Sequence, residues 1–238
     1  MSDGKQRGPA SRVQQMTHLL DADPALGEVL SGGRRSEARA AAIAPVVALG
    51  MGSCDLEALL AGAPARFGLL VLAGILACHI TVNGLHAIEF AGAGDVLLPG
   101  ATPATMIQCT RRWEVLDGAR VALLDTDFAL RVRPWPEIPA ALLRRASERG
   151  DALAYQLAAR QAVRVEDRLV LILWQLAERW GRVSPQGTVL RMPGLNHEVL
   201  ARVVGARRSP VTKALGDLRR RGVVDTGAKG ELVLRRAE

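Results

Sequence analysis

Apolar and polar positions alternate in two different ways along the chain. Between Val46 and Leu124, short apolar runs are separated by turns containing glycine, proline or aspartate, which is typical of an antiparallel β-roll or barrel. From Glu137 onward the apolar positions recur every three to four residues, which predicts helices. The pattern therefore indicates the α+β class, with an N-terminal antiparallel β-roll followed by helices.

Four segments are predicted from this pattern. They are an N-terminal tail with short helices (1–45), a β-roll (46–135), a long helix (136–164) and a winged helix-turn-helix (165–238). The tail is expected to be disordered through residue 12 and helical from Met16 to Leu30. Within the roll, Asn83-Gly84 favours a tight hairpin turn. Further turns are expected at Ala73-Gly74 and Asp117-Gly118.

A narrow apolar stripe runs along the long helix predicted over Glu137–Arg164. Its members recur at mostly three to four residues, with charges between them: Leu142, Ala146, Leu153, Leu157 and Val163. Such a stripe suits pairing with a copy of itself, so we expect a homodimer through residues 137–164. The alternative is that the stripe packs on the β-roll. Gly150 destabilises the centre of the helix by about 1 kcal/mol relative to alanine.

Residues 195–224 contain two short predicted helices joined by a glycine turn. Asn196 is expected to cap the first helix and Gly205 to end it. Ser209 and Pro210 are expected to open the second, because the N–H that proline lacks would be unpaired there. The core-facing positions of this second helix follow helical spacing: Val211, Ala214, Leu215 and Leu218.

The opposite face of the second helix carries residue types that hydrogen-bond base edges in the major groove of DNA. The predicted base-reading residues are Arg208, Ser209, Thr212 and Lys213. Basic residues beside them are predicted to bind phosphates: Arg207, Arg219, Arg220 and Lys229. Lys229 lies in the turn of a hairpin wing predicted from Val223–Val224 and Glu231–Leu234. Alternatively, the arginines only complement the helix dipole and Lys229 is a solvated turn residue.

Most of the net positive charge of the chain lies in its last third. The net charge is +7, and residues 165–238 carry fourteen Lys and Arg against eight Asp and Glu. An excess confined to one segment indicates a polyanionic partner, so we expect double-stranded DNA. A membrane is not an expected partner, because the most apolar run, residues 69–80, is too short to span a bilayer.

The cysteines are Cys54, Cys78 and Cys109, an odd number, widely spaced in apolar sequence. We expect reduced, buried thiols in a cytoplasmic protein, and the polar N-terminus lacks the apolar stretch of a signal peptide. No cofactor and no metal are expected. No grouping has the context of a catalytic nucleophile, so an enzyme is not expected.

A competing interpretation makes the β-roll a cupin-like sensor or enzyme that binds a metal or a small ligand. Its candidate ligands are His79, His86 and Glu89, which have suitable donor atoms. The tight His-x-His spacing of such sites is absent, and a single histidine on a β face is more often packed or solvated.

The order of a β-roll, a long helix, VEDRLVLILWQLAERWG (165–181) and LNHEVLARVVGARRSPVTKALGDLRRRGVV (195–224) resembles the Crp/Fnr superfamily of bacterial transcription regulators. The resemblance is most specific over residues 165–238. It implies a sensor related to cyclic-nucleotide-binding domains, a homodimer through the long helix, and a winged helix that binds DNA. The base-reading arginine of the family falls on Arg208, its glutamate on Ser209 and its later arginine on Lys213, so the usual half-site is not expected.

The sensor departs further from the cyclic-AMP-binding members of the family. The stretch from Gly94 to Ala104 keeps a glycine turn but offers no cation for a cyclic phosphate, and no Lys or Arg occurs from Phe67 to Thr110. We therefore expect a regulator that cyclic AMP does not control. The candidate effector pocket consists of Gly94, Asp95, Thr102 and Thr105.

Two other functions remain open for the winged helix. It either coats DNA without selectivity or contacts only proteins, and the local positive charge argues against the second. RNA polymerase is a further partner if the protein activates transcription.

Overall fold

The chain forms two compact units in a computed structural model that describes residues 12–59, 66–98, 107–227 and 230–235. The first unit comprises residues 1–85 and 89–150, and the second comprises residues 86–88 and 151–238. The boundary between the units falls within the long helix, so the N-terminal part of that helix belongs to the first unit.

The first unit is an antiparallel sheet with a group of helices. Its strands are β1 (Arg12–His18), β2 (Ile43–Leu49), β3 (Gly52–Cys54), β4 (Arg66–Val82), β5 (Leu85–Gly92), β6 (Val96–Leu97) and β7 (Cys109–Asp125). Its helices are α1 (Leu19–Ala22), α2 (Gly32–Ala41), α3 (Leu56–Leu59), α4 (Thr126–Val132) and the first part of α5 (Glu137–Ala159). A 3-10 turn covers Pro24–Gly27.

Strand β7 is the centre of the sheet. The strand order is β1-β2-β7-β4-β5, with β3 also on β7 and β6 on β4. The pairings of β7 with β2, β3 and β4 are all antiparallel. The predicted α+β class and the N-terminal antiparallel sheet are thus confirmed.

Two of the turns expected inside the roll are bulges within long strands. Strands β4 and β7 each run for 17 residues, and their register shifts on both sides of Ala73. Gly74 has φ +85°, and a Cβ there would lie 2.5 Å from the carbonyl oxygen of Gly118. Glycine in a strand marks either a turn or a bulge, and here the close backbone approach selects the bulge. The Asn83-Gly84 turn forms as predicted, with φ +46° and +76°.

The helix expected from Met16 to Leu30 is wrong at its start. Residues 12–18 form β1, which pairs with β2 in the register Met16↔Pro45, and α1 is a single turn. Pairing with a strand more than twenty residues away overrides the local helical spacing, as is common for strands. Leu19, Leu20 and Leu26 are nevertheless buried. The disorder expected through residue 12 is wrong at Arg12, which is the first residue of β1, and residues 1–11 lie outside the described residues.

Apolar side chains form two clusters in the first unit. One joins the helices to the sheet and includes Leu19, Leu70, Phe128, Ile138 and Leu142. The other includes Leu76, Cys78, Trp113 and Val121. Each fully buried side chain of this size contributes roughly 1.5–3 kcal/mol.

The apolar stripe predicted on the long helix is corrected by this packing. Leu142 is buried in the first cluster and Ala146 packs against it, so these two members face the β-roll, as the alternative interpretation had it. Helix α5 ends at Ala159 rather than Arg164, and Val163 lies outside it with 93% of its surface exposed. Helical spacing alone did not show which face of the helix the sheet covers.

The second unit packs three helices beside a small sheet. Its elements after the end of α5 are α6 (Val165–Trp180), β8 (Gly181–Ser184), β9 (Gly187–Leu190), α7 (His197–Val204), α8 (Arg208–Arg220), β10 (Val224–Thr226) and β11 (Leu232–Leu234). The strand order is β10-β11-β9-β8, all antiparallel. The predicted hairpin wing is β10 and β11. Leu169, Ile172 and Leu176 of α6 are buried.

Candidate nucleic-acid interface

Helix α7 begins and ends as the sequence predicts. The side-chain oxygen of Asn196 accepts hydrogen bonds from the N–H groups of Glu198 and Val199, at 2.9 and 3.0 Å. Gly205 ends the helix in the left-handed conformation, with φ +67° and ψ +44°. Only three residues separate α7 from α8, so the turn fixes the angle between the two helices.

Helix α8 begins two residues earlier than predicted. Its N-cap is Arg207, whose backbone is extended, and Arg208 is the first helical residue. Ser209 is therefore not the cap, and it makes no capping bond. The first helical hydrogen bond runs from the N–H of Val211 to the carbonyl of Arg207, at 3.3 Å. Pro210 fits because the N–H groups of the first turn have no partner within the helix.

The two faces of α8 separate apolar from polar residues as expected. Val211, Ala214, Leu215 and Leu218 are buried. The four predicted base-reading residues are all exposed on this one helix: Arg208, Ser209, Thr212 and Lys213. Among the described residues, Arg208 and Lys213 have no ion-pair or hydrogen-bond partner. Their cationic groups are thus available to a ligand.

Thr212 differs from its neighbours because it is already hydrogen-bonded. Its Oγ1 lies 2.9 Å from Nδ1 of His197, which is the first residue of α7. Sequence reasoning did not find this contact, because the two residues are fifteen positions apart on different helices.

The predicted phosphate-binding residues lie at the two ends of α8. Arg207 precedes the helix, and Arg219 and Arg220 are in its last turn; all three are exposed. Arg220 forms an ion pair with Asp217 but keeps 75% of its side chain exposed. Lys229 lies outside the described residues.

The wing continues the basic surface at its edges. Arg235 contacts Asp225 at 3.2 Å, and Arg191 is 3.8 Å from Glu231. Beside the wing, an open depression is lined by Arg191, Asn196 and Gly230, among others. These are surface ion pairs, which contribute little to stability, so the arginines can exchange their partners.

In the sensor, Asp95 closes a turn with its own carboxylate. Its Oδ2 accepts from the N–H of Gly92 at 2.8 Å, and the N–H of Gly94 donates to Val71 at 2.8 Å. Of the predicted effector pocket, Gly94 and Asp95 are therefore part of this turn. Thr102 and Thr105 lie outside the described residues.

A buried ion pair in the first unit was missed by the sequence analysis. Glu89 on β5 is only 7% exposed, and its Oε1 lies 2.5 Å from an Nη2 of Arg149 on α5. Burial raises the pKa of Glu89, while Arg149 and Arg111 oppose that rise. Arg149 lies sixty positions from Glu89 and outside the stretch from Phe67 to Thr110, which contains no Lys or Arg, so the local sequence did not indicate the pair.

The residues of the competing metal site have other partners. Nε2 of His79 lies 2.9 Å from Oε2 of Glu114, and Glu89 is paired with Arg149. In the described parts of the chain, no group of three or more His, Cys, Asp and Glu side chains is placed to hold a metal ion. Burial also raises the pKa of the Cys54 and Cys78 thiols to about 11.

Comparison with known proteins identifies the second unit. Residues 167–238 match the Crp-like helix-turn-helix domain. These residues are therefore similar to the Crp-like helix-turn-helix domain, in agreement with their fold. No curated protein sequence matches the chain.

Solved structures extend the likeness to most of the chain. A cyclic nucleotide-binding domain containing protein from Listeria monocytogenes is similar over 89% of this chain and 96% of its own, with TM-score 0.65 and 18% identity. A CooA variant from Carboxydothermus hydrogenoformans covers 94% of both chains, with TM-score 0.60 and 18% identity.

A CRP/FNR-family transcriptional regulator from Thermus thermophilus is similar over 80% of this chain and 93% of its own, with TM-score 0.56 and 20% identity. The chain thus has the architecture of Crp/Fnr-type regulators, and the resemblance in the sequence is confirmed. In the part of the chain that the structure describes, no helix has both the length and the apolar character needed to cross a membrane.

Proposed function

We propose that the protein is a sequence-specific DNA-binding transcriptional regulator of Crp/Fnr type that acts as a homodimer and is not controlled by cyclic AMP. The observation that carries the proposal is the exposed face of α8 within a Crp-like helix-turn-helix domain. Small and cationic side chains on such a helix suit the edges of bases in the major groove.

Arg208 is the main base-reading residue in this proposal. It stands exposed in the first turn of α8 and has no partner among the described residues, so its guanidinium can bind the O6 and N7 of guanine together. Ser209 and Lys213 add contacts on the same face. Arg207, Arg219, Arg220 and Lys229 neutralise phosphates, which positions the helix without selecting sequence.

A line of exposed residues on α5 supports the homodimer. It consists of Leu143, Ser147, Gly150, Ala154 and Leu157, and we call it the α5 seam. Its spacings of four, three, four and three residues match a coiled-coil repeat. Leu143 and Leu157 are 72% and 61% exposed, and the small central residues allow a second helix to approach closely. This line shares Leu157 with the stripe that the sequence predicted, but its other members lie on an adjacent face.

Control by cyclic AMP is not supported by the charges of the first unit. The sensor turn at Gly94 and Asp95 is closed by hydrogen bonds within the protein. Arg149, which the structure brings to the buried Glu89, is neutralised by it. A cyclic phosphate would therefore have to compete with a carboxylate already in place. Isothermal titration with cyclic AMP tests this, and micromolar binding would contradict it.

In vitro selection of bound DNA from a random pool, at two salt concentrations, tests the regulator itself. We expect a two-fold symmetric consensus with half-sites roughly 34 Å apart, because two recognition helices then enter successive major grooves. Unselective, salt-labile binding would favour a DNA-coating protein instead, and binding insensitive to salt would favour a winged helix that contacts proteins.

Replacing Gly150 with leucine tests the α5 seam. A Cβ added there meets nothing within 4 Å in the single chain, so Gly150→Leu should fold normally and should even favour the helix. In the dimer, a leucine there would push the paired helices apart. The dissociation constant of the dimer, measured by sedimentation, should therefore rise about tenfold or more. The matched control is Glu148→Leu, which places the same side chain on an exposed position outside the seam. Unchanged dimerisation of Gly150→Leu would contradict the seam.

A further inference from the structure

The hydrogen bond between His197 and Thr212 joins the two helices of the helix-turn-helix on its exposed side. Thr212 is exposed on α8, and His197 is half-buried at the start of α7. The Nδ1–Oγ1 distance is 2.9 Å. The capping of α7 is provided by Asn196, and the apolar core holds α8, so neither role requires this bond.

The direction of this hydrogen bond decides what Thr212 can offer to a ligand. A threonine hydroxyl has one hydrogen and two acceptor lone pairs. If Nδ1 of His197 accepts, the hydroxyl hydrogen is used, and Oγ1 presents only acceptor positions. If Nδ1 carries a hydrogen, it donates to Oγ1, and the hydroxyl hydrogen is free to be donated elsewhere.

We infer that His197 determines which bases Thr212 reads, and so acts as a specificity-determining residue outside the recognition helix. The inference rests on the proposed function, because it requires α8 in the major groove. There, an acceptor binds the amino groups of adenine and cytosine, whereas a donor binds O6 and N7 of guanine, O4 of thymine and N7 of adenine. The two directions of one hydrogen bond thus differ most between cytosine, which offers only an amino group, and the keto-bearing bases guanine and thymine.

The protonation of His197 sets the direction. Neutral imidazole has one accepting and one donating nitrogen, whereas protonated imidazole donates from both. A neutral ring with its hydrogen on Nε2 accepts from Thr212 at Nδ1, whereas a ring with a hydrogen on Nδ1 donates to it. Histidine side chains in general change charge between pH 5 and 8, so a change of pH across that range is the way to test the direction of the bond.

Charged groups lie on α7 and on the helices that pack against it. On α7 itself, Glu198 and Arg202 are 3.3 Å apart and offset each other. The packed helices α6 and α8 carry both signs: Glu166, Asp167, Arg168, Glu178 and Arg179 on α6, and Arg208, Lys213, Asp217, Arg219 and Arg220 on α8.

The test uses the full-length protein and its selected operator. The base pair that Thr212 reads is found as the position where Thr212→Val loses discrimination. Affinities for all four base pairs at that position are then measured at about pH 8 and about pH 5.5, on either side of the usual histidine range. We expect an amino-bearing base to be favoured about threefold to tenfold at the higher pH and a keto-bearing base at the lower pH, as one hydrogen bond allows.

Three variants separate this role from a merely structural one. His197→Ala should lose the change of base preference with pH at that position and still bind DNA. Thr212→Ser keeps the hydroxyl and should keep the change. Arg208→Ala is the control. It should lose discrimination at the base pair that Arg208 reads and keep the pH response at the base pair that Thr212 reads.

Two failures are distinguishable. If the wild-type protein selects no sequence, the proposed function fails and this inference fails with it. If it does select a sequence and His197→Ala shows the same base preference and pH response as the wild type, only the inference is overturned. The inference is also overturned if His197→Ala binds every base pair more weakly by the same factor and keeps the pH response.

Discussion

The two units of the protein treat their arginines in opposite ways. In the second unit, Arg208 is exposed on α8 and has no partner among the described residues. In the first unit, Arg149 is paired with the buried Glu89, and Arg145 with the mostly buried Asp23. Arg208 is available to an external anion, whereas Arg149 and Arg145 are paired with carboxylates within the fold. The difference separates basic residues that are available to a ligand from those that are paired within the chain.

Removing Arg149 should have the largest effect on stability. Arg149→Ala leaves Glu89 buried without its partner, which costs about 3–5 kcal/mol in the free energy of unfolding. The double variant Glu89→Leu with Arg149→Leu should recover most of this loss, because apolar residues then replace both charges. Urea unfolding of both variants measures this, and equal losses would show that packing, not charge, determines the effect.

Removing Arg208 should change DNA binding and leave stability unaffected. Arg208→Ala should weaken binding to the selected operator by about 1–3 kcal/mol and relax the preference at one base pair. Arg220→Ala should weaken all sequences alike and reduce the slope of affinity against salt by about one. A binding panel of operator variants compares the two, and identical profiles would contradict the assignment of base and phosphate roles.

The smallest expected effect is a pH dependence of stability that comes from Glu89. Burial raises its pKa in the folded protein above the ordinary value of 4.5, so the folded state favours the protonated form. Its contribution is therefore fully present below the ordinary value and is lost as the pH rises through the raised value.

Unfolding measured across that range should show a smaller fall in Glu89→Gln than in the wild type. The control is Glu148→Gln, which changes an exposed carboxylate of α5. A wild-type fall that persists in Glu89→Gln would assign the pH dependence to another group.

The two units also differ in how much of their structure the sequence could predict. The Asn196 cap, the Gly205 turn and the buried face of α8 were all predicted, because each signal lies within a few residues of the structure that it specifies. The predicted N-cap of α8, Ser209, was wrong by two residues. Pro210 did not fix the start, because the N–H groups of the whole first helical turn have no partner within the helix.

In the first unit the decisive partners are distant in sequence. Strand β1 forms because of β2, Gly74 is a bulge because of the backbone at Gly118, and Glu89 is neutralised from α5. The contact of His197 with Thr212 was missed for a similar reason, since it depends on the angle between two helices. Local patterns specify elements well, but they do not specify which side chains those elements bring together.

The central place of β7 has a consequence during synthesis of the protein. Strands β2, β3 and β4 all pair with β7, so none of these pairs can form before the chain has been made as far as Cys109, and β7 is complete only at Asp125. At 5–20 residues per second, the ribosome needs roughly 4 to 15 seconds to proceed from Leu49 to Asp125. Until β7 has been made, the strands that pair with it expose unpaired edges, which are templates for aggregation. The first unit is therefore prone to aggregation during its own synthesis.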